Sequence, residues 1–418
     1  MRFVAGIVSS MLVLACAVVP MSAAAQTFRV IYNFTGGNDG SNPQAGVTID
    51  GAGKLYGTAS FGGQYGYGAV YKLSYRGGWI LNPLYAFQGG EGGGNPQSRV
   101  VFGPDGSLYG TTVGGEGNCP GGCGTVFNLT PPPHVSGSIF SPWNETVIYR
   151  FHGPDGGYPT QGDLIFDSAG SIYGATSEGG DQLCNAPLGC GTAYQLAHSA
   201  QGWTETLLYT FHLALGGQEP MGGVVFDNTG NLYGTTSNSG MYGWGTVFKL
   251  APGQWTLNTI YAFTNGMDGR EPDSGLLIDG SGNLYGTTPA GGSGGSGTVF
   301  EMMPSGGVWN FSLLYSLVGN AIGPVASVTM DSAGNLYGTT EEAGPYDWGT
   351  VFELSPSSGG WTYALLHAFT GGADGGEPRG QLAIDSNGNL YGTTTFGGAN
   401  PGCFSGGGCG VVFEITPN

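Results

Sequence analysis

The chain has 418 residues, of which 85 are glycine and 12% are aromatic, while only 9% are charged and 28 acidic side chains outnumber 10 basic ones. Low charge with many aromatics excludes disorder, and glycine without a strict Gly-X-Y period excludes collagen. A net charge of −18 disfavours nucleic acid and anionic membrane surfaces, since both need a basic face.

Residues 1–25 read as a secretory signal: Arg2 supplies the positive end, residues 3–19 the apolar run, and Ala23-Ala24-Ala25 the small-residue cleavage site before Gln26. Val13-Leu14-Ala15-Cys16 is a rough lipoprotein box; cutting there leaves an apolar N-terminus, so an outer-surface lipoprotein is the weaker expectation. Cleavage after residue 25 removes Arg2 and leaves 9 basic against 28 acidic side chains, a net charge of −19. No later segment is apolar for long enough to span a bilayer, so no membrane insertion is expected after cleavage. The expected location is secreted or periplasmic, with residues 26–418 forming one domain.

Residues 28–34 form an isolated strand-like run, Phe-Arg-Val-Ile-Tyr-Asn-Phe. Seven near-copies of one module follow. Each carries Leu-Tyr-Gly-Thr-Thr or a close variant, with tyrosines at Tyr56, Tyr109, Tyr173, Tyr233, Tyr285, Tyr337 and Tyr391, spaced by 53, 64, 60, 52, 52 and 54 residues. Each then carries Gly-Thr-Val-Phe or a variant. In the fourth copy, residues 223–227, 232–236, 245–250 and 255–263 are short apolar or alternating runs separated by turn residues. That pattern predicts four antiparallel strands, A to D, and no segment shows a capped helical period. The last copy stops after strand C, while the run at 28–34 matches strand D, as in Leu84-Tyr85-Ala86-Phe87. The expected fold is therefore all-β: a seven-bladed β-propeller with four antiparallel strands per blade. The N-terminal strand completes the last blade and closes the ring, leaving no open sheet edge.

Six cysteines follow the signal, in the close pairs Cys119/Cys123, Cys184/Cys190 and Cys403/Cys409, each between the two signatures of its copy. Local pairing in an exported chain points to three disulfides. Zinc is the competing reading, but no pair has a nearby histidine partner.

The pattern Asp-x-x-Gly-Asn-Leu-Tyr-Gly-Thr-Thr, read at residues 331–340 and followed by Gly349-Thr350-Val351-Phe352, resembles the GloVer tandem repeat of exported bacterial choice-of-anchor proteins. The resemblance covers essentially the whole chain after the signal. It implies a secreted β-propeller without an established activity, and it carries over no catalytic residues. Members often have a C-terminal sorting segment; this sequence ends just after the last strand, which favours release or periplasmic residence over anchoring.

The aspartates before the A–B turns, Asp50, Asp167, Asp227, Asp279, Asp331 and Asp385, read as hairpin chemistry rather than as cation ligands. The D–A connections place Asp39, Glu91, Asp155, Glu219, Asp268 and Asp374 on one face, and the sixth copy has no acid there. These carboxylates are either repeated turn chemistry or a ring for a cation; no cofactor is expected, and calcium is the one candidate. The B–C loops bring Phe61, Tyr65, Tyr67, Tyr242, Trp244, Tyr346, Trp348 and Phe396 to that face, with Tyr65, Tyr242 and Tyr346 as candidate ligand contacts and Trp244 and Trp348 as packing residues. The histidines His134, His152, His198, His212 and His367 fit no catalytic motif. The expected function is a binding module for a glycan or protein. The alternatives are a polysaccharide-acting enzyme using channel carboxylates, or a structural envelope protein. Oligomeric state is not legible.

Overall fold

A computed structural model describes residues 26–416 apart from 118, 133–142, 160–161, 185–187, 214–215, 320 and 404–405. The signal segment and His134 lie outside the described residues. Seven four-stranded antiparallel sheets form the blades, each in the order A-B-C-D. In blade 1 the strands are Thr48–Ile49, Leu55–Ala59, Ala69–Tyr75 and Trp79–Ala86. In blade 7 they are Ala383–Ile384, Leu390–Thr394 and Val411–Thr416, with Thr27–Asn33 from the other end of the chain as strand D. This N-terminal strand pairs Thr27 with Thr416 and Asn33 with Val411, with a bulge between Val30 and Tyr32. The same bulge breaks the C–D register of the other blades, for example at Val247/Phe248. Ring closure by the first strand thus reproduces the module in detail.

The repeat signature explains why the blades stack. Along strand B, successive side chains point to opposite faces. On one face, the glycine of Leu-Tyr-Gly lies against the aromatic ring of strand C: a Cβ on Gly234 would come within 2.6 Å of Phe248 Cζ. The second threonine bonds the threonine of Gly-Thr-Val-Phe, as in Thr236–Thr246 at 2.8 Å. On the opposite face, the tyrosine packs edge-on against the next blade, Tyr173 on Phe226 at 4.8 Å between ring centroids. The first threonine donates to the next blade's backbone, Thr58 to Ser98 O at 2.9 Å, and Thr393 to Ala45 O at 2.7 Å across the seam between blades 7 and 1. Each blade therefore bonds itself with one face of strand B and its neighbour with the other.

The A–B aspartates are turn clamps. Asp227 Oδ1 accepts the backbone N–H groups of Thr229 and Asn231 at 2.8 and 2.9 Å, and its Oδ2 accepts the Tyr233 hydroxyl at 3.1 Å. Strand A is shorter than its apolar run predicts, two residues in every blade. The residues before it crowd the ring axis, where a Cβ on Gly222 would meet Gly275 N at 2.3 Å and one on Gly380 would meet Gly46 N at 2.2 Å. Backbones in contact there cannot also form an extended ladder.

Candidate functional site

The D–A and B–C loops share one face, joined by bridges such as Ser41–Phe61, Gln218–Asn238 and Gly376–Phe396. Four of the six predicted acids hold their own loops together. Asp39, only 6% exposed, accepts the Tyr32 hydroxyl at 2.9 Å and the Thr35 N–H at 2.8 Å. Asp268 does the same with Tyr261 at 3.1 Å and Thr264 at 2.8 Å. Asp155 accepts from Tyr149 at 2.6 Å and from the His152 N–H at 2.7 Å; Asp374 faces His367 Nε2 at 3.2 Å. Burial, and then the neighbouring carboxylate, push the phenols of Tyr32 and Tyr261 far above their ordinary value. The other two acids occupy different places. Glu91 is exposed on a single 3-10 turn, Gly90–Gly92. Glu219 lies further in, immediately before Pro220, and accepts Asn238 Nδ2 at 2.5 Å.

Glu219 belongs to an inner column that sequence reading merged with the outer one. The residue before the proline that enters each blade is Asn42, Asn95, Tyr158, Glu219, Glu271, Gly323 or Glu377. All except Gly323 adopt left-handed backbone, with φ from 52° to 58°, a conformation uncommon outside glycine and one that marks over-determined positions. Glu219, Glu271 and Glu377 gather with Asp273 and Glu341 at the mouth of the central channel. Arg379 pairs with Glu341 at 2.5 Å and Glu377 at 3.1 Å, and Arg270 pairs with Glu271 at 3.0 Å. Burial first, then the charges of Glu271, Glu219 and Glu341, raise the Asp273 carboxyl to about 7. Burial, then Glu219, raise Glu178 to about 7.

Deeper in the channel, a cavity of about 330 Å³ is lined by all seven blades. The column occupied by glycine at Gly46, Gly223 and Gly275 carries Arg99, Asp163 and Gln381 in blades 2, 3 and 7. Arg99 Nε donates to Asp163 Oδ2 at 2.7 Å, and its Nη2 donates to Gln381 Oε1 at 2.8 Å. The glycines opposite leave room for this polar bridge. Its sequence signal is three longer polar side chains in a column that otherwise reads Gly46, Gly223, Gly275 and Ser327.

Of the eight predicted rim aromatics, Phe61 and Phe396 lie in the bridges to the D–A loops, and the other six fall into two groups by position. Tyr65, Tyr242 and Tyr346 are 48%, 53% and 57% exposed. The residue just before the Gly-Thr-Val-Phe signature is a wedge over the glycines of the next D–A loop in six blades, blade 5 having Ser296 there; among these wedges Tyr67 is still 47% exposed. Trp348 fills the space beside Gly371 and Gly376, Tyr67 that beside Gly89 and Gly94, and Trp244 lies 5.4 Å from the Arg270 guanidinium. In blades 2, 3 and 7 the wedge is a disulfide. Cys119–Cys123, Cys184–Cys190 and Cys403–Cys409 are bonded, with Cα separations of 4.9, 5.1 and 5.0 Å. The Cys403 Sγ occupies the place a Cβ on Gly36 would take. In six of the seven joints the carbonyl of this residue accepts the N–H of the inner column, as in Cys190 O from Glu219 at 2.8 Å and Trp244 O from Glu271 at 3.0 Å; at the joint of blades 5 and 6 the Gly323 N–H donates to Pro289 O at 2.8 Å instead. Among the described residues no three His, Cys, Asp or Glu side chains converge to hold a metal ion, and no helix is long and apolar enough to cross a membrane.

The family model described as the Gloeobacter/Verrucomicrobia repeat matches residues 13–185 and 183–403, so the chain belongs to that family. Nothing matches among curated proteins. Among solved structures, the chain is similar to the periplasmic gluconolactonase PpgL of Pseudomonas aeruginosa, with 17% identity over 82% of this chain and 91% of that one, at a TM-score of 0.51. It is also similar to a protein from Lactobacillus plantarum, with 13% identity over 87% and 99% and a TM-score of 0.50. Likenesses at these identities show the shared propeller fold.

Proposed function

We propose that this member of the Gloeobacter/Verrucomicrobia repeat family is an exported binding propeller whose ligand, a glycan or protein, meets the face built by the D–A and B–C loops. The observation that carries this reading is the set of half-exposed tyrosines, Tyr65, Tyr242 and Tyr346, on that one face. Their rings offer flat apolar area and a hydroxyl at low entropic cost, as sugar and protein contacts require. Three disulfides stiffen the B–C loops of blades 2, 3 and 7 on the same face and fit a secreted or periplasmic setting. The test is a screen of the mature chain against polysaccharide and protein panels, with and without calcium, monitored for reducing-end release. Binding that weakens stepwise in Tyr65→Ala, Tyr242→Ala and Tyr346→Ala, without product, is the expected result. Binding unaffected by all three would sink the reading.

One observation favours a second reading, an enzyme acting on polysaccharide. Asp273 and Glu178, both raised to about 7, would be protonated in part near neutral pH, as a general acid requires. Product release abolished by Asp273→Asn, with binding retained, would establish it.

A further inference from the structure

Among the described residues, four charged side chains line the channel cavity of about 330 Å³: Arg99, Asp163, Asp273 and Arg379. Three of them are paired. Arg99 donates to Asp163, and Arg379 donates to Glu341 and Glu377. Asp273 is the fourth, and its carboxyl has no hydrogen-bond or ion-pair partner. Protein encloses most of it, and it borders the cavity. An ionised carboxylate in such a place is costly until a cation reaches it.

The charged groups around Asp273 do not supply that cation. Glu219, Glu271 and Glu341 act on it as like charges. Arg270 is held by Glu271, Arg379 by Glu341 and Glu377, and no histidine lines the cavity. Glu178, whose Oε2 is buried without a partner, adds a further like charge beside Glu219. Deeper in the channel the wall turns apolar. Val101, Ile165, Val225 and Leu277 share one column of strand A, and Val325 holds in the next blade the place that Asp273 holds in its own, just after the proline. The volume is that of a small-molecule site. One unpaired anion over an apolar shaft fits a cation carried on an alkyl stem. It does not fit a bare divalent ion, which needs several oxygens at once, and among the described residues no three acids converge.

We propose that the channel is a second binding site, separate from the tyrosine face, and that it takes a primary alkylammonium ion whose charged end pairs with Asp273 and whose stem lies along Val225, Leu277 and Val325. An ammonium group donates three hydrogen bonds and accepts none, which suits a site rich in carboxylate oxygens. A free amine and the lysine side chain of a partner protein both carry this chemistry. The site is independent of the reading of the tyrosine face.

The probe is n-butylamine, titrated into the mature chain by calorimetry at pH 6 and pH 8. A dissociation constant of about 1 mM at pH 8 is expected for so small a ligand. The Asp273 carboxyl, raised to about 7, is roughly one-tenth ionised at pH 6 and nine-tenths at pH 8, while the amine stays protonated at both. Affinity should therefore rise about tenfold over that span. The uncharged analogue 1-butanol should bind at least roughly tenfold more weakly, since it leaves the carboxylate unpaired. Asp273→Asn should weaken butylamine binding by a similar factor and remove its pH dependence. Val325→Lys, which brings an ammonium group into the cavity in cis, should exclude butylamine. No saturable binding at about 10 mM butylamine overturns the proposal. So does an affinity that is flat from pH 6 to pH 8, or 1-butanol binding as tightly as the amine; these arms use the unaltered protein and stand even if a variant does not fold. Capped lysine, Nα-acetyl-lysine amide, separates the two sources. Binding equal to that of butylamine supports a partner's lysine, and binding of butylamine alone supports a free amine.

Discussion

Phe34→Ala tests ring closure at the seam. Phe34 is fully buried and directly follows the N-terminal strand; its ring meets Tyr71 of blade 1 edge-on at 5.1 Å and Tyr32 at 5.3 Å. The same geometry occurs away from the seam, where Phe211 meets Phe248 at 5.1 Å. Truncating a buried phenylalanine costs about 3–5 kcal/mol, cavity included. An unfolding entropy of roughly 2 cal/mol/K per residue sums to about 0.8 kcal/mol/K over this ring, so Tm should fall by about 4–6 °C. Phe211→Ala should produce a similar fall, and the two are separated by native-state hydrogen exchange. Phe34→Ala should speed exchange in Thr27–Asn33 and Val411–Thr416, the two strands that clasp the ring, whereas Phe211→Ala should act on blades 3 and 4. A Phe34→Ala Tm within about 1 °C of the parent, beside a normal fall for Phe211→Ala, would refute closure by this strand.

Two further predictions address the module and the channel mouth. In Gly286→Ala the new Cβ lands 2.4 Å from Phe300 Cζ and 2.9 Å from Leu276 Cδ2, so urea unfolding should show a loss of about 1–3 kcal/mol; Gly51→Ala, with no atom within 4 Å, should be close to neutral. Asp273 has its folded-state carboxyl raised to about 7, chiefly by burial, so the folded chain holds this proton more tightly than the unfolded one. Stability from this group is therefore full below about pH 4 and is lost as pH rises toward 7. Asp273→Asn should flatten that part of a Tm-against-pH profile; parallel profiles for the two proteins would show that Asp273 does not titrate there.

Much of the ring was legible because repetition amplifies weak signals. A single Leu-Tyr-Gly-Thr-Thr says little, but seven in phase fix strand B, and the missing strand D of the last copy points to residues 28–34. The cysteine pairs and the A–B aspartates were likewise read from their recurring place. What escaped lies where copies depart from their column. Arg99 and Asp163 stand where Gly46, Gly223 and Gly275 stand elsewhere, and their pairing depends on which blades adjoin. Glu219 resembled the outer aspartates by neighbourhood in sequence, yet a left-handed residue before proline turns the chain inward.

The wedge residues have a consequence for how this face can diversify. Tyr67, Trp244, Trp348 and three cystines stand in equivalent places, and at these six joints the interlock between neighbouring blades runs through the wedge's main-chain oxygen. Side-chain identity is thereby uncoupled from the joint that holds the blades in register. Each loop on the face can be rewritten without renegotiating the ring, much as antibody loops vary on a constant sandwich. A library randomised at Tyr65, Tyr242 and Tyr346 would sample surface chemistry while the main-chain bonds of the neighbouring wedge residues stay in place.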